Sequence, residues 1–322
     1  MGKKVQRLQR IKLESNYRDN MKLLNEKFSL SNGNGHLCLV KGNGGMPVID
    51  IKNKFATAII SLQGAHVLSW TPESQEDIIW VSEGASFAPG KAVRGGIPIC
   101  WPWFGAHESD SSLPAHGLAR TAMWEILCTE ELEGGSTRIT FTTTPQPENE
   151  HMWPADTTVQ YLVTIGKKLE MELVTRNNGS APIIIGQALH TYFNVGDIDK
   201  VLLHGLEDSS YLDKLEGFAK KHQVGPISIE GEVDRIYIDS VGECAIDDKS
   251  LKRTIIINKR GSRSTVVWNP WQETAAKMGD LGEDGYTKML CVESCNAADD
   301  VVTIAPGKAH HLWVQYELSK SR

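Results

Sequence analysis

The chain has 322 residues, 40% of them hydrophobic and 23% charged, with a formal net charge of −6 and a pI near 6.0. This is ordinary globular composition, long enough for one large domain or two smaller ones. The acidic balance argues against a general nucleic-acid binder, which is usually basic. No apolar run approaches the ~18 residues of a membrane span, so neither nucleic acid nor membrane is expected as a partner.

The charge is unevenly spread. Residues 1–30 carry eight Lys and Arg against three Asp and Glu, a local +5 that leaves −11 for the remainder. A basic arm on an acidic body could reach a partner; a solvated helix or frayed tail is the plainer reading. The six cysteines (38, 100, 128, 244, 291 and 295) are dispersed and contain no CxxC pair. They read as reduced thiols of a cytoplasmic protein. The N-terminus lacks the apolar core of a secretory signal. Met1-Gly2 is followed by Gln at position 6, so myristoylation is not expected. A monomer is expected.

In chain order, residues 3–28 are rich in Leu, Lys, Arg and Glu, and Val5, Leu8 and Ile11 recur at spacing three, which predicts a helix. Ser29 to Gly45 is rich in Gly, Asn and Ser and reads as a flexible connection, with the folded body beginning near Met46. Strand signals then dominate: 48–51, 56–62, 66–70, 124–128, 137–143, 157–165, 169–176, 183–193, 200–205, 236–239, 253–258, 264–268, 288–293 and 309–318. Lys167-Lys168 and Asn177 to Ser180 read as hairpin turns. One short helix is expected near Ala275 to Gly279. Many short strands with turn chemistry between them predict an all-β sandwich larger than an immunoglobulin domain, preceded by a helical N-terminal extension.

The stretch from Arg94 to Arg120 breaks this rhythm. It holds four Gly and three Pro, wrong for a helix and suited to an extended, kinked loop crossing the mouth of a β-structure. Arginine suits charge-assisted recognition of phosphate or carboxylate, and Trp101, Trp103 and Phe104 could wall a sugar-sized cleft. The composition points to a small anionic, polyhydroxylated ligand.

Three further places set ionisable side chains in apolar strand context. In Gln187 to Asn194, period-two alternation puts His190 on one face with Ala188 and Tyr192, opposite Leu189 and Phe193. In Val233 to Tyr237, Asp234 precedes Arg235, which could equally be a surface ion pair. In Met289 to Ser294, Glu293 ends a hydrophobic strand, where burial is costly without a purpose or a partner. His310 and His311 are adjacent, so strand geometry sends their rings to opposite faces. The His and Cys residues lack ligand spacing, and no metal site is expected.

Taken together these blocks resemble a known family. Arg94-Gly-Gly-Ile-Pro-Ile-Cys-Trp-Pro-Trp-Phe-Gly, Leu113-Pro-Ala-His116-Gly-Leu-Ala-Arg120, Ala188-Leu-His190-Thr-Tyr-Phe, Val267-Trp-Asn-Pro-Trp271, Cys291-Val-Glu293 and Ala305-Pro-Gly307 resemble the hexose-6-phosphate mutarotases, or glucose-6-phosphate 1-epimerases. The resemblance covers roughly residues 46–318 in consistent order. It implies a galactose mutarotase-like β-supersandwich over 46–322 and leaves 1–45 outside it as a basic helical and flexible extension.

The resemblance implies an activity: cofactor-independent interconversion of the α and β anomers of an aldohexose 6-phosphate. It also implies roles. His190 would be the general acid at the ring oxygen and Glu293 the general base at the C1 hydroxyl. Arg94 and Arg120 would hold the substrate, chiefly its phosphate. Asp234 would bind sugar hydroxyls and His116 would orient the substrate. Acid/base work near neutral pH calls for an ionised Glu293 and a protonated His190. One departure stands out. The family usually has Gln immediately before the His-Gly of the second block, and here that position is Ala115. A mutarotase for unphosphorylated aldoses, or a non-catalytic sugar-phosphate-binding protein on the same fold, are the alternatives.

Overall fold

Period-two burial sets the strands. In Thr137–Thr143 and Leu169–Asn177 every second side chain is buried and those between are not. A computed structural model of the chain describes residues 17–32, 35–145, 150–154 and 156–320. Residues 3–16 of the expected N-terminal helix lie outside them; Tyr17–Phe28 is helical.

The strands form three main antiparallel sheets. The first is a meander of Leu30–Asn32, Gly35–Lys41, Pro47–Lys52, Ala56–Ser61 and His66–Pro72. The second has eight strands in the order Val201–His204, Cys244–Asp248, Arg253–Arg260, Ala309–Lys320, Leu169–Asn177, Thr157–Ile165, Thr137–Thr143, Glu125–Glu131. The third, which carries the site, runs Ala219–His222, Ser210–Asp213, Val233–Ile238, Ser264–Asn269, Met289–Asn296, Gln187–Leu189, Ile99–Cys100, with Tyr192–Asn194 also on Met289–Asn296. One continuous core joins all three, with Leu37, Ile51 and Ile60 from the first, Phe141, Leu173 and Tyr316 from the second, and Leu189, Val267 and Val292 from the third. This is the expected all-β supersandwich.

The strand Met289–Asn296 explains how the site is floored. All eight of its residues are buried, because both of its faces are covered. Leu290 and Val292 enter the main core, whereas Met289 and Cys291 join one cluster on the opposite face and Cys295 another. Glu293 follows the odd-numbered set by alternation.

Two sequence expectations are corrected. Ser29 to Gly45 is not a flexible connection: Leu30–Asn32 and Gly35–Lys41 are strands, and Gly35–Lys41 pairs with Pro47–Lys52 over six residues from His36↔Lys52 to Lys41↔Pro47. Leu37 and Leu39 are buried and supply an alternation that the flanking Gly, Asn and Ser concealed. Asn25 of the helix caps this strand, its side-chain amide donating to the Leu39 carbonyl (2.9 Å) and its Oδ1 accepting from the Leu39 N–H (2.7 Å). The second correction concerns 183–193, which is three short strands rather than one. Ile183–Ile185 pairs with Val302–Ile304, so the turn at Asn177 to Ser180 delivers the chain to another sheet instead of closing a hairpin. The pairing lapses again at His190 and Thr191.

Candidate active site

The stretch from Arg94 to Arg120 runs along the broken strand. The Gly186, His190 and Tyr192 N–H groups donate to the carbonyls of Pro102, Pro98 and Gly96 at 2.9, 3.0 and 3.0 Å. Close approach requires glycine at two points. Gly96 has φ +71°, and a Cβ there would stand 2.2 Å from His66 Nε2; Gly117 has φ +75° and a Cβ there would stand 2.1 Å from the Trp101 carbonyl oxygen. The loop is therefore pressed onto the sheet, not draped across its mouth.

Its aromatic residues divide. Trp101 is fully buried, donates through Nε1 to Thr175 Oγ1 (3.0 Å) and packs on Trp153 with centroids 4.5 Å apart. It belongs to the core and does not wall a cleft. Phe104 meets His116 edge-on at 5.1 Å. The rings beside His190 come from elsewhere: Tyr192 stacks on it (5.0 Å, 11°) and Trp268 meets it edge-on (6.1 Å).

At the centre, His190 Nε2 lies 3.4 Å from Glu293 Oε1. Burial pushes the Glu293 carboxyl far up, with Asp234 adding to the effect and Lys214 opposing it. Burial pushes the His190 imidazole far down, and His116, Arg120 and Arg94 push the same way. The enclosure thus favours a neutral pair with the proton on Glu293. That direction runs against the expected ionised Glu293 and protonated His190, because low polarity penalises both charges and the nearby cations disfavour a third.

His116 Nδ1 accepts from the Gly105 N–H (3.3 Å), which leaves the ring proton on Nε2. Its ring stands edge-on to His190 at 5.5 Å. Burial, with Arg120 next, lowers its pKa to about 3. Near neutral pH this favours the neutral ring, a hydrogen-bond donor rather than an imidazolium acid.

Asp234 sits opposite Trp268 on the neighbouring strand, and Trp268 sits opposite Cys291. Asp234 Oδ2 accepts from Lys214 Nζ at 2.6 Å. Its Oδ1 and His190 Nδ1 are both buried without a hydrogen-bond partner. An orphaned buried polar atom costs about 1–3 kcal/mol, so both are poised for an external partner.

The two arginines differ. Arg94 Nε donates to Asp280 (3.0 Å) and its NH1 to the Tyr192 hydroxyl (3.1 Å). Arg120 forms no ion pair among the described residues; its NH2 donates to the Ala115 carbonyl oxygen (2.6 Å). The side chain at 115 is exposed, so that support comes from backbone and survives the change from Gln. All six residues singled out in the sequence converge here. Reading the sequence missed Lys214, Tyr192, Trp268 and Asp280. Tyr192 was on the predicted face of His190 and could have been named; Lys214 and Asp280 lie in segments with no distinguishing pattern.

Fold and site together define the galactose mutarotase-like class. The aldose 1-epimerase family profile matches residues 47–317, and the chain belongs to that family. A relative from Escherichia coli (strain K12), named "Putative glucose-6-phosphate 1-epimerase", is 35% identical over 267 residues, 82% of this chain and 88% of that protein. The crystal structure of a "putative mutarotase" from Salmonella typhimurium superposes with TM-score 0.82 at 29% identity, covering 94% of this chain and 99% of that one. A galactose mutarotase-like protein from Clostridium acetobutylicum superposes with TM-score 0.67 at 13% identity, covering 90% of this chain and 100% of that one, a likeness of fold alone. No helix among the described residues is long and apolar enough to cross a membrane.

Proposed function

We propose that this aldose 1-epimerase acts on an aldohexose 6-phosphate, glucose 6-phosphate being the best fit, and that His190 and Glu293 open and reclose its ring. The observation that supports this reading is an enclosed carboxylate and imidazole 3.4 Å apart, beside an arginine that forms no ion pair among the described residues.

The step balances with those two groups alone. Glu293 as carboxylate takes the proton of the C1 hydroxyl, the C1–O1 bond becomes a carbonyl, the C1–O5 bond breaks, and O5 takes the proton held by His190. Rotation about C1–C2 turns the aldehyde over. Reclosure reverses both transfers, O5 attacking the other face of C1. The ring-opening and ring-closing states differ only in which partner holds the shared proton. General acid–base catalysis of this kind supplies about 10²–10⁴-fold.

The neutral pair favoured by burial is the ring-closing state. A bound phosphate dianion would shift the balance. Burial and His116 depress His190 most, Arg120 and Arg94 add to this, and an anion paired with the arginines would ease their part of it and favour the proton on His190. Phosphate binding would then raise turnover as well as affinity. Asp234 Oδ1 would accept a sugar hydroxyl and His116 Nε2–H would donate to a sugar oxygen.

Polarimetry on α-glucose 6-phosphate and α-glucose tests the assignment. The expected result is a higher kcat/KM on the phosphorylated sugar, with part of the difference in kcat. Equal kcat/KM on both sugars would assign the protein to free aldoses, and tight binding without catalysed anomerisation would make it a sugar-phosphate binder.

A further inference from the structure

A second group of chemically capable side chains stands on the first sheet, on Gly35–Lys41 and Pro47–Lys52 rather than on the site-bearing strands. His36 and Cys38 are two residues apart on one strand and share its face. Asp50 lies directly across from Cys38 on the adjacent strand. His36 Nε2 is 3.2 Å from Asp50 Oδ2, and the imidazole nitrogen, thiol sulfur and carboxylate oxygen all lie within 4.8 Å of one another. Among the described residues this is the one such group of three or more His, Cys, Asp or Glu side chains.

We propose that His36, Cys38 and Asp50 form a binding site for a thiophilic divalent cation, with Zn2+ the best fit. One nitrogen, one sulfur and one oxygen are the donor types that Zn2+ accepts at ~2.0–2.3 Å. Tetrahedral bonds of that length place ligand atoms about 3.5 Å apart, so the three side chains need only small rotamer adjustments. Hard cations such as Mg2+ and Ca2+ require oxygen ligands, and the sulfur disfavours them. The side chains of His36 and Asp50 are 41% and 38% exposed, which leaves the fourth position to water. The backbone register holds the group before any ion arrives, since Cys38↔Asp50 is a paired position in the ladder. Lys52 is paired with His36 and is exposed, so its flexible amine can move away from the bound cation. Binding releases the thiol proton, which makes affinity rise with pH. The bound ion would clip two neighbouring strands together. Spacing along the sequence could not show this site, because its third ligand arrives by cross-strand pairing.

Co2+ titration of the metal-free full chain is the test. One equivalent should produce a thiolate-to-cobalt charge-transfer absorption that Zn2+ abolishes, and Zn2+ should raise the Tm. Cys38→Ser should remove the band and the Tm shift. His36→Gln and Asp50→Asn should each weaken binding by at least the ~10–100-fold that loss of a group merely supporting a ligand costs, and His36→Gln decides the matter if Cys38→Ser misfolds. Cys128→Ser, which removes an exposed thiol elsewhere, should leave the band intact. Absence of the band in the wild-type chain, its survival in Cys38→Ser or full affinity in His36→Gln would overturn the proposal.

Discussion

His190 Nε2 stands 3.4 Å from Glu293 Oε1, with the two side chains only 12% and 2% exposed. Glu293 comes from the strand Met289–Asn296 and His190 from the break between Gln187–Leu189 and Tyr192–Asn194, and Tyr192 packs flat against the imidazole to hold its plane. If this pair moves the proton, His190→Ala and Glu293→Gln each lower kcat by about 10²–10⁴-fold. Circular dichroism should show both variants folded. Full activity in either one would remove that residue from the chemistry.

The arginines should separate by substrate. Arg120→Ala removes a cation that forms no ion pair among the described residues, and kcat/KM on glucose 6-phosphate should fall by about 10–100-fold, the scale of one charge-assisted contact. Activity on glucose should change little. Arg94→Ala also strands Asp280 and the Tyr192 hydroxyl, so losses on both sugars are expected. A phosphate-selective loss from Arg94→Ala alone would reverse the two assignments.

Lys214 sets protonation without being one of the reacting pair. Its cation lowers the pKa of both Glu293 and Asp234 against the upward push of burial. Lys214→Met should therefore raise both, and the acid limb of the kcat/KM profile should move to higher pH. A purely structural lysine would change the amplitude of the profile and leave its position in place.

Acid stability should reflect buried histidine. His66 is 2% exposed and its Nε2 bonds the Gly95 carbonyl at 2.8 Å. Burial lowers its pKa from 6.5 to about 4, the Gly95 bond acting against this and Arg120 with it. The unfolded chain takes up a proton below pH 6.5 and the folded chain does not. Stability is therefore complete above about 6.5 and falls as pH drops toward 4, by about 3 kcal/mol from this group. His66→Gln, whose amide can still donate to Gly95, should flatten that decline in denaturant midpoints measured between pH 7 and 4.

Trp101 tests the division between core and site. Trp101→Ala should cost about 3–5 kcal/mol of stability while KM for the sugar phosphate stays within about twofold at permissive temperature. A large KM change would return Trp101 to the wall of the cleft.

Much of the fold could be read directly. Thr137–Thr143 and Thr157–Ile165 have the limits that their alternation predicts. Leu189 and Phe193 lie in the core with Ala188 and Tyr192 turned away, as period two requires. What escaped were strands whose flanks carry turn residues, such as Gly35–Lys41, and the break at His190, which depends on Gly96 and Pro98 supplying the carbonyls that the strand would otherwise find in the sheet.

By itself, the sequence determined which side chains share a face, because alternation along a strand is a local property of the backbone. It also determined the chemical vocabulary of the site: one imidazole and one carboxylate placed where apolar neighbours demand a reason for them. Tertiary structure alone decided that His190 meets Glu293, that Arg94 is paired with Asp280 while Arg120 forms no ion pair among the described residues, and that His36, Cys38 and Asp50 converge. It also decided which way burial pushes Glu293 and His190. Register pairs residues from distant segments, and desolvation and electrostatic fields sum over everything packed around a group.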